Sequence, residues 1–269
     1  MGSEARRRSF GLGARREARA PSRDGAVQVP DIQRSRLLAG AVGAIDEHGY
    51  AGTTVARITE RARVSRRTFY ELFDNCEECL LAVLDSAVEQ IAAEIAAADL
   101  ERLEWRERVR GGLWVILSFF DHEPALARMC VVHSQQAGRE MLERRQGIID
   151  LLAHIVDEGR RERDRRAPSE LTGHGVVGAV LTIVHGRLLK PGDAHLCDLH
   201  GELMEIVVLP YLGAQSARGE RDRRPPATIA KAVAPEQRLT AALESVESLA
   251  RIPMRLTYRT ALVLQDLSE

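Results

Sequence analysis

From Asp31 to Gly213 the apolar residues recur at three- and four-residue intervals, and the alternation of a half-buried strand is hard to find. Only a helix brings every third and fourth residue onto one face, so this period makes the chain all-α. Leu37, Leu38, Ala41, Ala44 and Ile45 set the pattern, and it stops at Gly49, a residue suited to the position after a helix. Abundant Ala and Leu with only 4% aromatic residues lean the same way. At 269 residues and 45% hydrophobic content the chain can bury one sizeable core and a smaller second unit. No uncharged apolar run of roughly 18 residues is present to cross a bilayer. The N-terminus has no apolar signal segment either, so the expected location is the cytoplasm and the four cysteines are expected to be thiols.

The segments fall into five parts. Residues 1–29 form a basic tail, with seven arginines against Glu4, Glu17 and Asp24 and no apolar period, and are expected to be disordered. Residues 30–84 hold three helices, the second and third of them short, and the start of a fourth that runs from after Asn75 toward Asp99; 85–213 hold further ones over about 101–121, 124–137, 139–164, 170–189 and 197–213. Pro124 sits where a helix should begin, and "KPGDAH" at 190–195 is a break. Residues 214–234, polar, charged and carrying Pro225 and Pro226, read as a linker. Residues 235–269 turn amphipathic again.

The strongest local signal is "TVARITERARVSRRTFYELF", residues 54–73. Two short helices are joined by a turn around Arg63-Val64-Ser65, a helix-turn-helix arrangement. Thr53 or Thr54 is placed to cap the first helix and Ser65 the second. Val64 and Phe69 have the spacing of a hydrophobic staple. Phe69, Leu72 and Phe73 form the buried face of the second helix, which leaves Arg66, Arg67, Thr68 and Tyr70 outward. Those types suit DNA: arginine pairs with both acceptors of a guanine edge, and Thr and Tyr reach phosphates or a thymine methyl. The net charge of −1 argues against a generic polyanion binder, but charge is concentrated here. Between Arg57 and Thr68 five arginines stand against one glutamate, a local +4.

"GYAGTTVARITERARVSRRTFYELF", followed by "DNCEECLLAVL", resembles the DNA-binding head of TetR-family (tetracycline-repressor-like) transcriptional regulators. Gly49, Tyr50, Thr53, Thr54, Ile58, Val64, Ser65, Thr68, Phe69, Tyr70 and Phe73 carry the match. The resemblance implies a helix-turn-helix head on a helical domain that binds a small-molecule effector and dimerises. It implies DNA contacts from Thr54, Arg63, Ser65, Arg66, Arg67, Thr68, Tyr70 and the residue at position 76. Two positions depart from the pattern: Arg63 stands where a glycine usually opens the turn, and Cys76 where a phosphate-contacting lysine is common. The function implied is a ligand-responsive repressor acting as a homodimer on a palindromic operator, with an activator using the same head as the alternative. The apolar stretches 171–189 and 199–213, with Gly175, Gly178 and Ala179, are the expected dimer helices. "LESVESLARIPMRLTYRTALVLQDLSE" resembles the opening helices of the winged-helix domain that some actinobacterial-type relatives carry, here truncated or replaced by an accessory helix pair.

Trp114, Phe119, Phe120, Met129 and His133 are the candidate effector-pocket residues, an aromatic and methionine cluster at helical spacing that equally suits a core. No histidine pair with metal-ligand spacing, nucleophile motif or phosphate loop appears, so neither an enzyme, a metal nor a cofactor is expected. Cys76-x-x-Cys79 raises the thiol oxidoreductase as a rival, but that chemistry needs a strand–helix alternation missing here. A helical module for protein contacts is the other rival. Asn75 and Glu78 have capping-box spacing, which puts Cys76 at a helix N-terminus, exposed near the DNA backbone with a lowered pKa, and Cys79 on the apolar side.

Overall fold

The computed structural model describes residues 29–162, 168–190, 195–223 and Ile229. Ten α-helices make up the described residues and no strand is found among them: α1 (Val29–Gly52), α2 (Val55–Ala62), α3 (Arg66–Leu72), α4 (Cys76–Ala97), α5 (Trp105–His122), α6 (Pro124–Val131), α7 (Arg139–Asp157), α8 (Thr172–Leu188), α9 (His200–Leu212) and α10 (Ala214–Arg218). Single 3₁₀ turns at Leu100–Arg102, His133–Gln136, Glu158–Glu162 and Leu196–Leu199 join some of them. The tail expected at 1–29, except Val29, and the segment 235–269 lie outside the described residues.

Helices α1 to α3 make the head. Leu37, Ala41, Ala44 and Ile45, one face of α1, are essentially unexposed against Ile58, Ala62 and Phe69. Gly40 permits the close crossing of α1 and α2, because a Cβ there would lie 2.8 Å from the Ile58 carbonyl oxygen. The regular course of α1 breaks at Gly49, whose φ of 68° admits few side chains. Helix α4 is the shank: at 22 residues it is about 33 Å long. Cys79, Leu80, Val83, Leu84 and Ala87 are buried along it. The same apolar cluster continues into the body through Leu117, Phe119, Met129 and Leu203, so head and body share one core. A second cluster gathers Trp105, Val109, Ala153, Val156, Val176, Met204, Val207 and Tyr211 among α5, α7, α8 and α9.

The expected linker is not one over its described part. Residues 214–223 continue past α9 as α10 and a turn, and they pack on the body with Ala217 and Glu220 fully buried. The polar composition misleads because one of its acids, Glu220, meets the buried Arg110 of α5. The break at 190–195 does fall between α8 and α9, and the 3₁₀ turn after it is tied down by Asp121, whose carboxylate accepts from the Leu196 and Cys197 amides at 2.6 and 2.9 Å.

Candidate nucleic-acid interface

The head presents α3 through three local devices. The Thr54 side chain accepts from the Arg57 amide at 3.4 Å and starts α2. Ser65 Oγ accepts from the Thr68 amide at 3.0 Å and starts α3. Asn75 Oδ1 accepts from the Glu78 amide at 2.9 Å and starts α4. The return bond of the expected capping box lands one residue early: Glu78 Oε2 accepts from the Asp74 amide at 2.5 Å. Phe69 at 0% exposure and Phe73 at 4% anchor α3 and its end in the core, and Val64 packs against the same cluster. Burying a phenylalanine contributes about 1.5–3 kcal/mol, enough to hold one face of a seven-residue helix inward.

The opposite face is then outward. Thr54, Arg63, Ser65, Arg66, Arg67 and Tyr70 are exposed and Thr68 is half-exposed. Arg67 pairs with Glu71 one turn on, at 3.0 Å, with its side chain 90% exposed. Tyr70 stands edge-on to Phe69 with its own ring outward. Ser65 and Thr68 hydroxyls lie 2.9 Å apart. Two other arginines of this surface turn to the protein: Arg57 Nη1 donates to the Gly52 carbonyl, and Arg61 pairs with Glu47 at 2.6 Å. Arg63 closes α2 in the left-handed region at φ 51°, ψ 42°, its amide donating to Glu60 and Thr59 carbonyls. A residue with a Cβ is strained there, which is the backbone reason a glycine suits that turn.

Cys76 departs from expectation. It is the first residue of α4 but is half-buried against the core, with Sγ 3.7 Å from the Thr53 carbonyl of the preceding loop. Burial pushes its thiol pKa up, the reverse of the lowering expected from the helix end. Cys79 is fully buried and its thiol is raised further, first by burial and then by Cys76. No group of three or more metal-ligating side chains occurs among the described residues.

Residues 37–83 match the tetR family of bacterial regulatory proteins. The head is therefore of the tetR type over these residues. Over 93 residues it is 28% identical to the HTH-type transcriptional activator FasR of Mycolicibacterium smegmatis, a stretch covering 35% of this chain and 42% of that protein. The chain therefore spans less than half the length of that curated relative. The fatty acid degradation regulator FadR from Bacillus halodurans superposes with a TM-score of 0.56 at 19% identity, covering 65% of this chain and 94% of the other. FadR from Bacillus subtilis, solved in complex with stearoyl-CoA, gives 0.53 at 20%, covering 64% and 96%. At these identities the likeness is one of fold, and it covers the helical body as well as the head.

In the helical body the five candidate pocket residues fall in different places. Phe119, Phe120 and Met129 are buried in the core shared with the head. His133 sits on the 3₁₀ turn after α6, near Asp46 and Arg128, and desolvation holds its pKa down. Trp114 packs instead beside Leu100, Val115 and Ile229, edge-on to His200 at 5.3 Å. A cleft of about 220 Å³ opens among Leu103, Trp105, Arg102, Arg108, Glu104 and Glu158 and includes none of the five.

The reading of single residues also missed what joins head to body. Arg128 of α6 forks onto Asp46 of α1, Nε to Oδ1 at 2.5 Å and Nη2 to Oδ2 at 2.9 Å. Tyr50 Oη accepts from the Gly138 amide at 3.3 Å, and Arg144 of α7 pairs with Asp85 of α4 at 3.0 Å. Residues 82 positions apart leave no periodic trace in sequence. Helix α8 exposes Gly175, Gly178 and Ala179, and a Cβ added at either glycine would meet nothing within 4 Å. Ile183 and Leu209 are exposed on α8 and α9.

Proposed function

We propose that this chain is an effector-responsive transcription regulator that binds operator DNA as a homodimer, through the outer face of α3 and the turn before it. The observation that carries the reading is the division of α3 by Phe69: one face is pinned in the core, and Arg66, Arg67, Thr68 and Tyr70 share the other. A rigid helix displaying arginines and small hydrogen-bonding groups is what reading a major groove requires. Thr54, Ser65 and Arg63 flank it as phosphate contacts. Cys76 is withdrawn from the contact set, because its thiol faces the Thr53 carbonyl.

Twofold pairing through α8 and α9 is supported by the exposed small residues Gly175, Gly178 and Ala179 and by the exposed Ile183 and Leu209, and would place two copies of α3 on successive half-sites. The FasR relative is an activator by name, and the Bacillus halodurans FadR is a fatty acid degradation regulator by name. We favour release of a repressor by its effector. The reading is that of a binding protein rather than an enzyme, working in the cytoplasm; no helix among the described residues is long and apolar enough to cross a membrane. The test is a gel shift on sequences selected from a random duplex library. Arg67→Ala with Tyr70→Ala is expected to lower affinity by 100-fold or more, at about 1–3 kcal/mol per base-reading contact, while the dimer persists in sedimentation. Unchanged affinity would remove α3 from the contact.

A further inference from the structure

The least expected charge in the molecule is Arg110. It lies in the middle of α5 with 1% of its side chain exposed, and burying a guanidinium is unfavourable unless an anion accompanies it. Two carboxylates do so. Glu107, one turn earlier, takes Nη1, and Glu220, from the stretch after α10, takes Nη2 and is itself only 1% exposed. Arg106 and Arg223 support them, at 3.4 Å from Glu220 and 3.6 Å from Glu107.

The same helix face continues from polar to apolar. Glu107, Arg110, Gly111, Trp114 and Val115 recur at the helical period, and the second half is covered by one more residue from the same end of the chain. Ile229 lies on Gly111, where a Cβ would come within 2.7 Å of its Cδ1, and is buried with Leu100 and Val115. Trp114 borders this cluster, and its indole N–H is buried without a partner among the described residues. Such an orphan donor is destabilising, and a ligand oxygen would satisfy it. His200 lines the same place, Nε2 donating to the Arg110 carbonyl at 3.0 Å.

We infer that this face of α5 is a receptor for a small amphiphile, a carboxylate with a compact apolar tail, and that the chain's own Glu220 and Ile229 occupy it as a built-in competitor. Glu220 supplies the carboxylate that Arg110 requires and Ile229 supplies the tail. A free ligand of that composition satisfies the same groups, and one with an oxygen along its tail would also take the Trp114 N–H. The competitor is tethered, at an effective concentration on the order of millimolar, so the intact chain responds only to ligand abundant enough to displace it. The inference deepens the effector reading above by giving the effector a class and a place. It is tested without DNA, so its outcome is separate from that of operator binding.

The experiment is chemical rescue in the full-length chain. Glu220→Ala leaves Arg110 Nη2 without its anion, with Glu107 alone to accompany the buried charge, and the melting temperature is expected to fall by roughly 10 °C. Octanoate should restore at least half of that loss, methyl octanoate none, and acetate less than octanoate. Arg110→Met with Glu220→Ala removes both charges and should abolish the response to octanoate. Where Glu220→Ala does not fold, Ile229→Ser keeps the ion pair and opens only the apolar end. In a Trp105→Phe background, which leaves Trp114 as the only tryptophan, octanoate should then shift its emission at a concentration at least tenfold below that needed without Ile229→Ser. No response to octanoate in either variant, or an equal response to the methyl ester, would show a structural ion pair and overturn the inference.

Discussion

Head and body are both helical, but they begin their helices by different means. In the head, Thr54, Ser65 and Asn75 each cap a helix with a side chain that reaches three residues along the chain. In the body, α5, α6, α7, α8, α9 and α10 have no side-chain cap at their N-termini. Long-range partners hold them: Trp105 Nε1 donates to the Ile155 carbonyl at 3.2 Å, Tyr211 Oη to Asp157 at 2.6 Å, and Asp121 collects two amides from the turn before α9. A locally closed helix keeps its shape whatever its neighbours do. A helix positioned by distant partners moves when one of them is exchanged, and that suits a part that must sense. The junction at Asp46–Arg128 lies between the two kinds of construction.

The contrast can be broken by deleting one device of each kind. Asp121→Ala leaves the Leu196 and Cys197 amides without their acceptor and is expected to destabilise the chain by about 2–4 kcal/mol. Ser65→Ala removes one cap and should cost about 1 kcal/mol, with a loss of operator affinity larger than that of Asp121→Ala. Denaturant midpoints and gel shifts on the same preparations check both. If Ser65→Ala proves the more destabilising, the head is not locally closed. Because one apolar cluster runs from Phe69 through α4 to Leu203, a single unfolding transition is expected in both variants.

The same contrast explains what could be read from the residues. Caps, the staple and the turn of α2 and α3 depend on neighbours three to five positions apart, so their chemistry is visible in "VARITERARVSRRTFYELF". Arg110 and Glu220 are 110 positions apart, and an arginine and a glutamate in charged surroundings look solvated until the fold brings them together. The linker reading failed for that reason over 214–223. Cys76 was misplaced by a smaller version of the same error: its helix position was clear, but the Thr53 carbonyl that takes its thiol lies 23 residues back. Phe119, Phe120 and Met129 have the composition of a pocket and of a core alike, and packing assigned them to the core.

A weaker effect sharpens the account of the body. Burial depresses the pKa of His200 and of His133 in the folded chain. A depressed histidine is neutral in both states above its unfolded pKa near 6.5 and contributes no pH dependence there. As pH falls below that value the unfolded chain takes up the proton first, so stability declines. The melting temperature should be lower at pH 5 than at pH 7.5, and His200→Gln should reduce the difference. An equal difference in the variant would place the pH sensitivity elsewhere than beside Arg110.

The smallest expected change separates fold from function at a single residue of the head. Arg63 is held at φ 51° to close α2, a conformation that costs a residue with a Cβ about 1–2 kcal/mol. Glycine relieves that strain but has more unfolded-state freedom to lose, about 0.5–1 kcal/mol. Arg63→Gly is therefore expected to raise stability by about 0.5–1 kcal/mol. It also removes a charge from the turn before α3, so operator affinity should fall uniformly across sequences and the salt slope should drop by about 1. A local strain retained for a contact predicts opposite signs in the two measurements. If both improve, Arg63 touches no phosphate; if both worsen, its side chain holds the turn in a way that outweighs the backbone strain.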